Sequence, residues 1–117
     1  MKLLHITIQT EAFEKEINFY QTFAGLSIQR DLRSAGRKIV FLANTAGETA
    51  IEIIEAKGSA AIENEYLSIG FQAEDLQEIH NKLSEAGFAP TPFISPMPQV
   101  RFFFVKDPAG VKVQFME

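Results

Sequence analysis

Residues 3–10 alternate between two faces. Leu4, Ile6 and Ile8 share one, and Leu3, His5, Thr7 and Gln9 share the other, which predicts a strand with one apolar side. Residues 11–24 then place Phe13, Ile17, Tyr20 and Ala24 at helical spacing, and Gly25 offers a left-handed C-terminal cap. Three strand-like runs follow, at 26–33, 38–43 and 49–55. Ser34-Ala35-Gly36 and Asn44-Thr45-Ala46-Gly47 supply turns between them. Residues 56–65 are small and polar and read as a linker.

The pattern then starts again. A strand is expected over 66–73, and Asp75 caps a helix with Glu78 three residues on, as in a capping box. Leu76, Ile79, Leu83 and Ala86 form its apolar stripe, and Gly87 ends it. Residues 88–94 are extended but carry Pro90 and Pro92, which restricts them to a sheet edge. Strands are expected over 100–106 and 111–116, joined by the turn Asp107-Pro108-Ala109-Gly110. Both halves therefore read β-α-β-β-β, residues 1–55 and 66–117, and such a repeat means two copies of one supersecondary unit.

The faces of these strands differ in a way that matters for function. Leu4/Ile6/Ile8, Ile51/Ile53, Leu67/Ile69/Phe71 and Val111/Val113/Phe115 should pack under the helices. The opposite faces carry His5/Thr7/Gln9, Glu52/Ile54, Tyr66/Ser68/Gly70/Gln72 and Lys112/Gln114/Met116. A sheet face with several inward polar groups is what a ligand cavity needs. The expected fold is α+β, with two βαβββ modules forming a curved mixed sheet and the helices on its outer face. The two copies are not chemically equal. His5 is answered by Ser68 and Glu52 by Gln114, so the second copy lacks the metal-ligand side chains of the first.

Composition narrows the function classes. The 117 residues suffice for one domain, and modules of this size should fold together. A net charge of −4 offers no basic stripe for nucleic acid. With no cysteine, disulfides and thiolate metal sites are excluded. The N-terminus turns polar too early for a signal peptide, and no apolar run approaches a membrane span, so a cytoplasmic location is expected. Phe accounts for 11 residues, enough for a core and for an apolar pocket or subunit interface.

The duplication, HITI at 5–8, FYQTFAGL at 19–26, AIEIIE at 50–55 and FFFVKDPAGVKVQFME at 102–117 resemble the vicinal oxygen chelate superfamily. That group includes glyoxalase I, bleomycin-resistance proteins, fosfomycin-resistance enzymes and extradiol dioxygenases. The resemblance covers nearly the whole chain. It implies metal ligands from the first and last strand of each module, which here are His5, Glu52, Ser68 and Gln114. A glyoxalase I usually supplies His or Gln, Glu, His and Glu, so this chain matches the first two and departs at the last two. Extradiol chemistry needs two His and one carboxylate. Only His5 of that set survives, and that activity is not expected.

Two functions follow from the resemblance. In one, His5, Glu52 and Gln114 hold a divalent ion (Ni, Zn, Mn or Co) for a glyoxalase I-like lyase or isomerase acting on a small oxygenated molecule. Glu52 would then be the only carboxylate available as catalytic base, because an amide such as Gln114 has no basic site near neutral pH. Binding of the ion should be weak or absent, and lactoylglutathione formation likewise. In the other, the chain sequesters a small molecule without metal, as bleomycin-resistance proteins do. Thr7, Tyr66, Ser68, Arg101 and Phe103 are the expected substrate-binding residues; Arg101 either meets an anion in the cavity or lies exposed on its strand, and at least one ring of the Phe102–Phe104 run faces away from the core, into the cavity or a partner chain. His80 is expected to be a surface or half-buried helix residue. The resemblance also implies a homodimer.

Overall fold

The computed structural model describes residues 1–117, and the two halves repeat one architecture. The first contains β1 (His5–Thr10), α1 (Phe13–Thr22), β2 (Ser27–Asp31), β3 (Ile39–Ala43) and β4 (Ala50–Glu55). The second contains β5 (Ser68–Gln72), α2 (Leu76–Glu85), β6 (Ile94–Met97), β7 (Val100–Lys106) and β8 (Lys112–Met116). The expected mixed sheet resolves into two four-stranded sheets, ordered β1-β4-β3-β2 and β5-β8-β7-β6. In each, the first and last strands of the module pair in parallel and the other pairs are antiparallel. Residues 56–65 hold no helix or strand. Two compact units divide within them, Met1–Ala61 and Ile62–Glu117.

In the first unit the alternation sorts side chains as the sequence implies within the strands, whereas Leu4, expected under the helix, lies before β1 and is exposed. Ile8, Val40, Leu42, Ile51 and Ile53 are buried together with Phe13, Ile17, Phe19 and Tyr20 of α1. Burying each such side chain contributes roughly 1.5–3 kcal/mol. Gly25 takes φ +66°, the left-handed conformation that ends a helix, and the Leu26 amide bonds back to the Tyr20 carbonyl. One charged residue of α1, Glu16, is also fully buried, which the helical stripe did not foretell.

In the second unit the Asp75 carboxylate accepts the Glu78 amide at 3.0 Å, so the cap predicted for α2 is formed. Leu76 and Leu83 are buried with Phe103, Val105, Val113 and Phe115, while Ile79 is half-buried and Ala86 exposed. His80 is half-buried. Its ring meets Phe103 edge-on at 4.9 Å, and its Nε2 donates to the Thr91 carbonyl at 2.9 Å.

The region 88–94 departs from the expected strand. The ladder strand is β6, six residues later in its start, and it pairs irregularly with β7. Pro90 and Pro92 have no N–H to contribute. Between them, Thr91 gives its amide to the Phe104 carbonyl at 2.8 Å. The Phe104 amide is then taken by the Thr91 hydroxyl oxygen at 3.0 Å, because the Thr91 carbonyl is committed to His80. Side chains thus complete a pairing that the backbone leaves unfinished.

Gly110 closes the β7–β8 turn at φ +97°. A Cβ there would lie 2.3 Å from the Ile62 carbonyl oxygen. Ile62 is held over the turn by its own amide, which donates to the Ala109 carbonyl at 2.8 Å. The Asp107 carboxylate accepts the amides of Ala109 and Val111 and fixes the turn from within.

Candidate functional site

The register of the first sheet lines up one row across four strands. Thr7 of β1 lies opposite Glu52 of β4, Glu52 opposite Phe41 of β3, and Phe41 opposite Arg30 of β2. His5, two residues before Thr7, shares its face. These side chains project from the side of the sheet not covered by α1. The Thr7 hydroxyl donates to Glu52 Oε1 at 2.6 Å. His5 Nε2 stands 3.5 Å from that same oxygen. The His5 ring packs edge-on against Phe41 at 5.7 Å, and the Arg30 guanidinium lies 6.0 Å from the other contact of that row, the Phe41 ring centroid.

The side chain of Glu52 is 14 % exposed and that of His5 34 %, so both are accessible yet partly withdrawn from water. Both neighbours act on Oε1, which leaves Oε2 open to a ligand. The structure therefore brings together three of the expected site residues, His5, Thr7 and Glu52.

The matching row of the second sheet has the same shape and different chemistry. Gly70 of β5 lies opposite Gln114 of β8, and Gln114 opposite Phe104 of β7. Gly70 puts no side chain beside Gln114, whose Oε1 is 3.4 Å from where a Cβ would be. Ser68 is exposed and pairs with Lys112. Where the first row has a hydroxyl, a carboxylate and a phenyl ring, the second has a gap, an amide and a phenyl ring.

Metal binding can be tested against these donors. The first row offers one imidazole nitrogen and one carboxylate. Within the first unit no further His, Asp or Glu joins the pair in a metal-binding group. Zinc and similar ions in proteins are held by three or four protein ligands. The His5–Glu52 pair falls short of that set.

Three expected ligand-binding residues do not line the open face of the second sheet. Phe103 is fully buried and stacks on Phe115, beneath α2. The register explains why: Phe103 faces Phe115 across the ladder and must share its side, so the rings on the opposite face belong to Phe102 and Phe104. Arg101 lies on the Phe103 side. Its Nε and Nη2 grip the Glu117 carboxylate at 3.1 and 2.9 Å, and its guanidinium covers the Phe93 ring at 4.6 Å. That hydrogen bonding to Glu117 raises the Arg101 pKa further above its ordinary value. Tyr66 precedes β5 and is fully exposed, because the Asn64 side chain accepts its amide in a turn that keeps it out of the ladder. Phe41 was not singled out from the sequence, and Phe104 only as one ring of the 102–104 run. Their signal was available in the 63-residue offset of the repeat, which places both at one position of the module.

Residues 2–115 match the sequence profile of the Glyoxalase/Bleomycin resistance protein/Dioxygenase superfamily. The chain belongs to that superfamily. No curated protein sequence is a significant match. Among solved structures, the trypanothione-dependent glyoxalase I of Leishmania major has a TM-score of 0.80 at 21 % identity, covering 100 % of this chain and 86 % of that one. The fosfomycin resistance protein FosX of Mesorhizobium loti gives 0.75 at 16 % identity, covering 97 % and 89 %. A lactoylglutathione lyase of Agrobacterium tumefaciens gives 0.67 at 16 %, covering 97 % and 91 %. At these identities the likeness is one of fold, and a shared fold does not carry a shared reaction. No helix is long and apolar enough to cross a membrane.

Proposed function

We propose that this member of the superfamily binds a small oxygenated molecule on the His5–Thr7–Glu52 face and does so without a tightly held metal. The observation that carries the reading is the arrangement at Glu52. One oxygen is engaged by Thr7 and His5, and the other is open to a hydroxyl or amine donor of a ligand. A hydrogen bond to such a carboxylate contributes about 1.5–3 kcal/mol. Phe41 beside it offers an apolar surface for the rest of the molecule. Two protein donors are too few for a stable catalytic ion, and Gln114 and Ser68 in the second module are weak donors for such ions.

The competing reading is a glyoxalase-like lyase with an ion on His5, Glu52 and Gln114. The convergence of His5 Nε2 on Glu52 at 3.5 Å favours it, since this is a ligand-type pair at the positions the family uses. Titrating nickel, zinc, manganese and cobalt into chelator-stripped protein separates the two. The binding reading expects no saturable uptake below about millimolar. Tight, near-stoichiometric uptake that disappears in Glu52→Gln would sink it and restore the enzyme.

We also propose that the chain forms a homodimer. Each module leaves two large apolar side chains exposed just before its first strand, Leu3 and Leu4 at 63 % and 65 %, and Tyr66 and Leu67 at 101 % and 69 %. Exposed apolar surface of this kind marks interaction sites.

A further inference from the structure

The second module contains a cavity of about 350 Å³ between β7, β8 and the segment before β6. This is near the lower end of small-molecule sites, suited to one ring and a short substituent. Phe104 supplies an aromatic wall, and Thr91 and Ala89 close the side nearest the sheet edge. Thr91 is fixed there by its two bonds to Phe104, so the wall is rigid. Two lysines, Lys106 and Lys112, face each other across the β7–β8 ladder at the cavity's rim.

The state of those lysines is informative. The Lys112 ammonium lies 4.3 Å from the Phe104 ring centroid, a cation–π contact, and donates to the Glu65 carbonyl at 3.4 Å. Lys106 binds the Glu65 carboxylate at 3.1 Å. Both cations pull the Glu65 pKa below its ordinary value, the hydrogen bond from Lys106 most and the charge of Lys112 to a lesser degree. Glu65 thus meets both lysines beside an aromatic ring, with its carboxylate at Lys106 and its backbone carbonyl at Lys112. It comes from the linker. The Glu65 side chain is 65 % exposed and that of Lys106 54 %, so the pair is a surface ion pair with little net stability to lose. Glu65 and Lys106 also line a neighbouring hollow of about 400 Å³ with Tyr66, which gives a displaced Glu65 somewhere to go.

We propose that this cavity binds a small aromatic acid, whose ring takes the place of the Lys112 ammonium against Phe104 and whose carboxylate takes the place of the Glu65 carboxylate at Lys106, with the released Lys112 beside it. The site lies wholly in the second unit and needs neither His5 nor Glu52, so it goes beyond the reading above. The metal titration gives its answer whichever way this proposal falls.

Sodium benzoate is the probe, titrated into isotope-labelled protein while the amide resonances of Phe104, Lys106 and Lys112 are followed. Benzamide, with the same ring and no charge, is the comparator. Saturable shifts are expected with benzoate, and binding at least about tenfold weaker with benzamide, because charge-assisted bonds supply the difference. Glu65→Gln should tighten benzoate binding by removing the internal competitor. Lys106→Met and Lys112→Met should each weaken it about tenfold. Equal binding of benzoate and benzamide overturns the proposal, as does the absence of any saturable benzoate shift. Both of those results come from the unaltered protein, so a variant that fails to fold cannot shield the idea.

Discussion

Thr7 and Glu52 sit directly opposite each other on parallel strands, and the Thr7 hydroxyl donates to Glu52 Oε1 at 2.6 Å. The bond fixes which oxygen of the carboxylate faces the protein. Thr7→Val keeps the shape and removes the donor. Thr7 is exposed, so urea denaturation should show a loss of no more than about 1 kcal/mol. A loss beyond about 3 kcal/mol would mean the pair is structural and not poised for a ligand.

The turn at Gly110 should tolerate no side chain. Gly110→Ala forces a Cβ against the Ile62 carbonyl and strains a positive φ, so a loss of about 2–4 kcal/mol is expected. Gly36→Ala is the control. Gly36 also has positive φ, at +78°, but nothing lies within 4 Å of its Cβ, and about 1 kcal/mol should suffice. Equal losses in chemical denaturation would refute the steric account of Gly110.

Acid should act through Asp31. Arg33 donates from Nη2 and Nε to the Asp31 carboxylate at 2.6 and 2.9 Å, and this holds its pKa down at about 2, against an ordinary 3.8. A depressed folded pKa means the contribution is fully present above about pH 4 and is lost as pH falls towards 2. The stability gap between the native chain and Asp31→Asn should therefore be constant above pH 4 and close below it. A gap that widens in acid would contradict the assignment.

His80 should behave as a brace between α2 and the segment at Thr91. His80→Phe retains the ring contacts and removes the donor to the Thr91 carbonyl. The carbonyl is then left unpaired at a cost of about 1–3 kcal/mol. Hydrogen exchange at the Phe104 amide should accelerate, because its acceptor is the hydroxyl of the same Thr91. Unchanged exchange would show that Thr91 is held by other means.

Light scattering at several concentrations tests the dimer. A mass of twice 13.1 kDa is expected, with dissociation promoted by Leu4→Asp or Leu67→Asp. A monomer at all accessible concentrations would remove that proposal.

Most of the fold was legible where local chemistry is unambiguous. Leu4, Ile6 and Ile8 announce β1 by strict alternation, and Asp75 with Glu78 announces the start of α2. The failures fall where alternation gives no information. Phe102, Phe103 and Phe104 are one apolar run, and only pairing with Phe115 decides which ring is inside. Tyr66 and Leu67 continue the alternation of β5, yet Asn64 diverts their amides into a turn. At the candidate site, His5 and Glu52 stood out as ligand-type residues that the second copy lacks. The Lys106–Lys112 rim did not stand out, because the two lysines are six residues apart in sequence and become neighbours only across the β7–β8 hairpin.

The parallel pairing of each module's first strand with its last has a consequence for biosynthesis. His5 cannot find Ala50, nor Thr10 find Glu55, until the whole intervening helix and hairpin have been made. A nascent chain emerging from the ribosome must therefore hold β1 unpaired through most of a module's translation, with Ile6 and Ile8 lacking their sheet neighbours. Non-local closure of this kind slows folding. The second module repeats the delay with Ser68 and Lys112. Chaperone dependence during synthesis should thus come in two waves, each ending as a closing strand clears the exit tunnel.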